Sequence, residues 1–179
     1  MKAGDESGAD AASDTTGTTG TTTVRPAAPS DAAAMARVHV ESWRATYRGV
    51  VRDAVLDDPT FLPRREGFWN TALTDARFVA NRIAVAEHDG EVVGIAMSGP
   101  VDAEVHLFVL YLLDGHHGSG AGNALLDAVV DLADRVTLWV ADPNPRAQAF
   151  YRKRGFARDG TEQVDDGVRE VRMVRPPAN

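Results

Sequence analysis

At 179 residues, with 44% hydrophobic and 25% charged side chains, the chain is long enough for one domain with a real core and is neither fibrous nor disordered in make-up. A formal net charge of -7 argues against a nucleic-acid partner, because binding to a phosphate backbone draws on an excess of Lys and Arg. The absence of Cys excludes disulfides, a thiolate nucleophile and a cysteine metal site.

Residues 1–23 carry no aromatic and no large aliphatic side chain after Met1, so a low-complexity tail is expected there, with the folded domain over 24–179. No segment has the apolar length of a membrane span and the N-terminus lacks the apolar core of a secretory signal. No membrane partner and a cytoplasmic location are therefore expected. "TVRPAAP" reads as a short extended segment, followed by a helix capped near Ser30 or Asp31 and stopped at Gly49. A second helical region over 50–78 is expected to be broken by Pro59 and Pro63.

The runs "RIAVAEH" and "EVVGIAMSG" alternate with period two around Asp89-Gly90, which predicts an antiparallel hairpin. "EVHLFVLYLL" is apolar on both faces and reads as a central strand. Beyond a glycine-rich loop, Leu125, Leu126, Val129, Val130 and Ala133 recur at helical spacing. A strand "VTLWVAD", a short helix "NPRAQAFYRKRG" and an alternating strand "VREVRMVR" follow, with a further short strand conceivable at "GFARD".

Glycines ahead of a helix start let an anion approach unpaired backbone N–H groups at the positive end of the helix dipole, so a phosphate is the natural occupant of "DGHHGSGAGN". The loop is not a P-loop, because Gly122 is followed by Asn123 and Ala124 rather than Lys and a hydroxyl residue. A dinucleotide fingerprint is an open alternative: Gly118 and Gly120 fit, and Asp142 lies at the expected distance, but Asn123 stands where the third glycine belongs.

His117-Gly118-Ser119-Gly120-Ala121-Gly122 resembles the acetyl-coenzyme A loop of the GNAT superfamily of N-acetyltransferases, with His117 where the family usually has Gln or Arg. "LWVADPNPRAQAFYRKRGF" is similar to that family's next strand and helix, with Asn144, Ala147, Phe150, Tyr151, Gly155 and Phe156 at matching places. The resemblance implies an α/β acyl-CoA N-acyltransferase fold: a mixed, mostly antiparallel central sheet flanked by helices. It implies acetyl-CoA as cosubstrate, no metal, and a small-molecule or peptide amine as acceptor. His116 and His117 form no ligand set with other residues at metal spacing.

The resemblance makes the Tyr151 hydroxyl the general acid for the departing thiolate; the alternative is a packed core tyrosine. It gives the backbone N–H near Leu112 to the developing oxyanion, and backbone groups of Tyr111 to Leu113 to the pantetheine amides. The loop residues from His117 through Gly118, Ser119, Gly120, Ala121 and Gly122 to Asn123 would hold the pyrophosphate, with Asn144, Ala147 and Phe150 beside the pantetheine arm. Asn144 reads equally well as a helix cap, and Phe150 as core.

A base must accept the amine proton, and Glu104 and His106, two apart on one strand face, are the candidates; both are also ordinary strand-end residues. His39, Trp43 and Tyr47 form a stripe that would line the acceptor groove or belong to the core. Glu41, Asp53, Asp57 and Asp58 would attract a cationic amine or are plain surface. "VREVRMVR" would offer an edge for a homodimer. Two further functions stay open: a noncatalytic acyl-CoA sensor, and a nicotinamide-dinucleotide oxidoreductase.

Overall fold

A computed structural model describes residues 21–165 and 167–178. The expected tail falls mostly outside the described residues, but Thr22 and Thr23 already belong to a strand, opposite His88 and Glu87. The elements are β1 (Thr22–Pro26), α1 (Ala32–Tyr47), α2 (Asp53–Leu56), α3 (Phe61–Thr74), β2 (Arg82–His88), β3 (Glu91–Val101), β4 (Glu104–Leu112), α4 (Ala121–Val129), β5 (Val136–Ala141), α5 (Pro145–Lys153), β6 (Ala157–Asp165) and β7 (Val168–Arg175).

The strands form a seven-stranded sheet in the order β1-β2-β3-β4-β5-β7-β6. Only β4 and β5 run parallel, and every other neighbouring pair is antiparallel. A dinucleotide fold requires two parallel mononucleotide halves, and a single parallel pair with α4 as its crossover provides no second half. The hairpin forms as expected, with Asp89 at φ 50° and Gly90 at φ 82°, the positive angles that a tight turn between twisted strands demands.

Pro63 does not break the second helical region. It falls in the first turn of α3, where its missing N–H has no partner to lose. The short strand at "GFARD" is instead the nine-residue β6, and it takes the sheet edge. β7 therefore lies between β5 and β6, so "VREVRMVR" offers no free edge to a second copy.

Alternation along the strands divides the core between the two faces of the sheet. Val85, Ile95, Met97 and Val109 pack against α1 and α3, around the fully buried Trp69. Ala96, Leu107, Leu138 and Met173 pack on the other face with Leu125 and Leu126 of α4 and Tyr151 of α5. Arg25 fastens β1 to the start of α1 through two hydrogen bonds to Asp31, whose carboxyl it holds below the usual carboxylate range. Among the described residues, no helix is long and apolar enough to cross a membrane.

Candidate active site

The site starts from a gap in the sheet. β4 and β5 are paired only at Val105↔Val136, His106↔Thr137 and Leu107↔Leu138, after which the remainder of β4 has no neighbour on that side. His106 closes the joined end, its Nδ1 2.9 Å from the Thr137 hydroxyl, and Glu104 is ion-paired with Arg135. Both therefore lie at the end of β4 away from Leu112. His106 and Leu112 lie six residues apart on β4, which at about 3.3 Å per residue is roughly 20 Å. Burial, with Arg172 adding to it, also holds the His106 imidazole below its ordinary value.

Along the open side of β4 the backbone alternates. The Leu113 N–H donates to the Val93 carbonyl at 2.9 Å, so in an antiparallel ladder Tyr111 and Leu113 turn toward β3 and Leu112 turns its N–H and C=O into the gap. Only Leu112 of the expected trio thus presents its backbone there. Gly94 lets this region close up: a Cβ on it would lie 2.7 Å from the Leu112 Cδ1 and 2.9 Å from that of Leu125.

The glycine loop ends at Gly120, the N-cap of α4, at φ 89°; Gly118 has φ 81°. A left-handed conformation of this kind favours glycine. Among the described residues, the amides of His117, Ser119, Ala121 and Asn123 donate within the loop. Those of Gly118, Gly120 and Gly122 have no protein acceptor. The alternate residues of the loop thus carry the open donors, at a helix N-terminus suited to an anion. His117 lies 3.2 Å from a guanidinium nitrogen of Arg146, and burial, followed by that guanidinium, lowers its pKa. Arg146 also approaches Asp114 at 3.4 Å, so α5 brings a cation to the loop, which the sequence reading did not anticipate.

α5 is capped by Asn144, whose side-chain oxygen accepts from the Ala147 N–H at 3.1 Å. Phe150 packs between α5 and α4, with its ring in contact range of a Cβ at Gly122, and Ala147 lies against the same core. Tyr151 is buried between the Phe150 and Phe156 rings, at centroid distances of 5.3 and 5.6 Å. Among the described residues its hydroxyl has no hydrogen-bond partner. Burial first, and then Tyr111 and Tyr47, push this hydroxyl above the ordinary tyrosine value, so its proton is firmly held.

On the opposite face, Tyr111 accepts a hydrogen bond from the Trp43 indole at 2.9 Å, and Trp43 packs on Tyr47 at 4.9 Å. Glu170 of β7 adds to the upward shifts of both Tyr47 and Tyr111, and Gln163 donates to one of its oxygens at 2.8 Å. The sequence reading overlooked this carboxylate; the signal was a charge two residues after Val168 on the same strand face. His39 is corrected from groove wall to core. It is 3% exposed, neither ring nitrogen has a partner, and burial drives its pKa down to about 3. Beyond Trp43 lies a cavity of about 800 Å³, lined in part by Arg52, Val55, Phe61, Arg64 and Arg65. The acidic residues expected to attract a cation are each ion-paired: Glu41 with Arg37, Asp53 and Asp57 with Arg48, and Asp58 with Arg64. Among the described residues, no group of three or more His, Asp or Glu is placed to hold a metal ion.

The family model described as "Acetyltransferase (GNAT) family" matches residues 39–156. The chain is 47% identical over 96 residues to the uncharacterized N-acetyltransferase Rv2669 of Mycobacterium tuberculosis, a match covering 50% of this chain and 59% of that protein. It is 30% identical over 167 residues to the uncharacterized N-acetyltransferase YuaI of Bacillus subtilis, covering 86% of this chain and 92% of the relative. The crystal structure of PaiA N-acetyltransferase from Thermoplasma acidophilum, in complex with coenzyme A, shares the fold with a TM-score of 0.70 at 19% identity, covering 87% of this chain and 99% of that one.

Proposed function

The chain belongs to the Acetyltransferase (GNAT) family, and from that premise we propose that it transfers acetyl from acetyl-coenzyme A directly to a primary amine of a small molecule or peptide in a ternary complex. The observation that carries this reading is the gap between β4 and β5 with the Leu112 backbone turned into it, together with the open glycine amides at the start of α4 and the buried, protonated Tyr151 hydroxyl. These groups suit the parts of coenzyme A: anion donors for the pyrophosphate, an unpaired strand backbone for the pantetheine amides, and a protonated hydroxyl for the sulfur.

When bound, acetyl-coenzyme A supplies the activated acetyl group, its C–S bond breaking as the C–N bond to the amine forms. Gly118, Gly120 and Gly122 hold the diphosphate through backbone N–H groups, and Arg146 adds a positive charge beside them. The Leu112 N–H donates to the acyl oxygen as negative charge develops on it, in a setting where a preplaced donor counts for more than it would in water. The Tyr151 Oη gives its proton to the sulfur, and a Glu170 oxygen takes the proton lost by the amine, directly or through water. With no Cys in the chain, a cysteine-borne acyl intermediate is excluded.

Isothermal titration of the full chain with acetyl-coenzyme A, coenzyme A, NAD and NADP tests the reading. Micromolar binding of the coenzyme A species alone is expected, and binding of NAD or NADP in their place would sink it. Arg146→Gln is expected to weaken coenzyme A binding about threefold to fivefold, since an exposed ion pair contributes up to about 1 kcal/mol. Unchanged affinity would remove Arg146 from the site.

A further inference from the structure

His117 opens the glycine loop, and one nitrogen of its ring has two competing partners. Its Nδ1 lies 3.2 Å from a guanidinium nitrogen of Arg146 and 3.4 Å from a carboxylate oxygen of Asp114. The same Asp114 oxygen lies 3.4 Å from Arg146, so the three groups share one small polar cluster. A proton decides which partner the ring takes. Unprotonated, Nδ1 accepts from Arg146; protonated, it can only donate, to Asp114, and the guanidinium must turn its hydrogen elsewhere. The ring is partly buried, and Gly118, the first of the open amides, follows it directly in the chain.

The protein's own groups favour the neutral ring. Burial first, and then Arg146, lower its pKa, while the Asp114 carboxylate and the backbone carbonyls of Asp114 and Leu112 act in the opposite sense. The neighbouring His116 is turned away, packing on His88 of β2 at 4.9 Å, and Asp89 faces His88 at 3.6 Å. A diphosphate held on the amides of Gly118, Gly120 and Gly122 would reverse the balance, because it competes for Arg146 and favours a positive charge beside it.

We propose that coenzyme A binding draws a proton from solvent onto His117, so that the loop holds the diphosphate more tightly as pH falls; the proposal rests on the acetyltransferase reading above. Asp114 takes the new Nδ1–H, and Arg146 transfers its hydrogen bond to the diphosphate. Binding and protonation are linked, so a rise of one unit in the pKa of the ring equals a tenfold gain in affinity between the alkaline and acid limits. The gain is absent well above the pKa of the complex, grows as pH falls through it and is complete below the pKa of the free chain.

Dephospho-coenzyme A is the first probe, since its diphosphate diester does not titrate near neutrality, whereas the phosphomonoester of coenzyme A does. Calorimetric titration of the full chain in buffers of different ionisation enthalpy counts the protons taken up, and NMR follows the His117 ring through its own titration. Expected are net proton uptake, an upward move of that titration and affinity about threefold to tenfold tighter near pH 6 than near pH 8. His117→Gln should still bind through the backbone amides but lose both the uptake and the pH dependence. Asp114→Asn should lessen the uptake, because the protonated ring loses its acceptor. Binding without uptake, or uptake that persists in His117→Gln, overturns the proposal and leaves the acetyltransferase reading standing. Sulfate, fully ionised in this range, is the second probe. If it moves the His117 titration upward while coenzyme A and its dephospho form do not bind, that reading falls and the proton-linked anion site stands; if no probe binds, both fall.

Discussion

Tyr151→Phe is expected to lower turnover by about 10²- to 10⁴-fold, the usual contribution of a positioned general acid, while coenzyme A affinity stays within about twofold. The substitution keeps the ring that packs between Phe150 and Phe156 and removes only the hydroxyl, so the core stays filled and the effect reports on chemistry. Thiol-release kinetics beside calorimetric affinity make the check. Burial raises the pKa of this hydroxyl above the ordinary tyrosine value, so the acid stays protonated at neutral and mildly alkaline pH. The wild-type rate is therefore expected to rise with pH as the amine loses its proton, with no alkaline fall caused by Tyr151. A Phe variant with full activity would return Tyr151 to the core; a wild-type chain that binds coenzyme A yet releases no thiol with any amine would mark a sensor.

Trp69→Ala is expected to cost about 3–5 kcal/mol, because a fully buried indole leaves a cavity that its neighbours fill only in part. For a domain of this size that corresponds to a fall of about 6–20 °C in Tm. Trp69→Phe should cost much less, since it keeps a ring in the core and removes an indole N–H that has no partner. Thermal melts of both variants check the difference, and a similar Tm for Ala and Phe would mean that the site collapses around the smaller residue. Trp69 packs on the face of the sheet opposite α4, so an Ala variant that stays folded is expected to keep the affinity for coenzyme A proposed for the glycine loop.

The hairpin, the glycine loop and the α5 motif were legible in the sequence because each depends on local geometry. Asp89-Gly90 specifies a turn by its own backbone, Gly120 caps α4 by its own φ, and Asn144 bonds three residues ahead. β6 was nearly invisible because an edge strand held by backbone pairing to β7 needs no apolar alternation, and most of its residues are exposed. Glu104 and His106 share a strand with Leu112, and the sequence shows that; it does not show that their pairing with Arg135 and Thr137 places them at the joined end. The arginine-lined cavity was likewise beyond local reading, since it brings α2, α3 and Gly167 together from distant parts of the chain.

The brief contact between β4 and β5 also bears on how the molecule holds together. Four strands lie on one side of that junction and three on the other, and the ladder joins them through only three residue pairs. A ligand spanning the junction serves as mortar between two courses, present in the folded form and useless to the unfolded one. Resistance to unfolding then follows ligand supply, rising by about 2.7 kcal/mol when free ligand stands at 100 times its Kd. If coenzyme A spans that junction as proposed, the fold is sturdiest when the ligand is plentiful and most open to proteolysis when it is scarce.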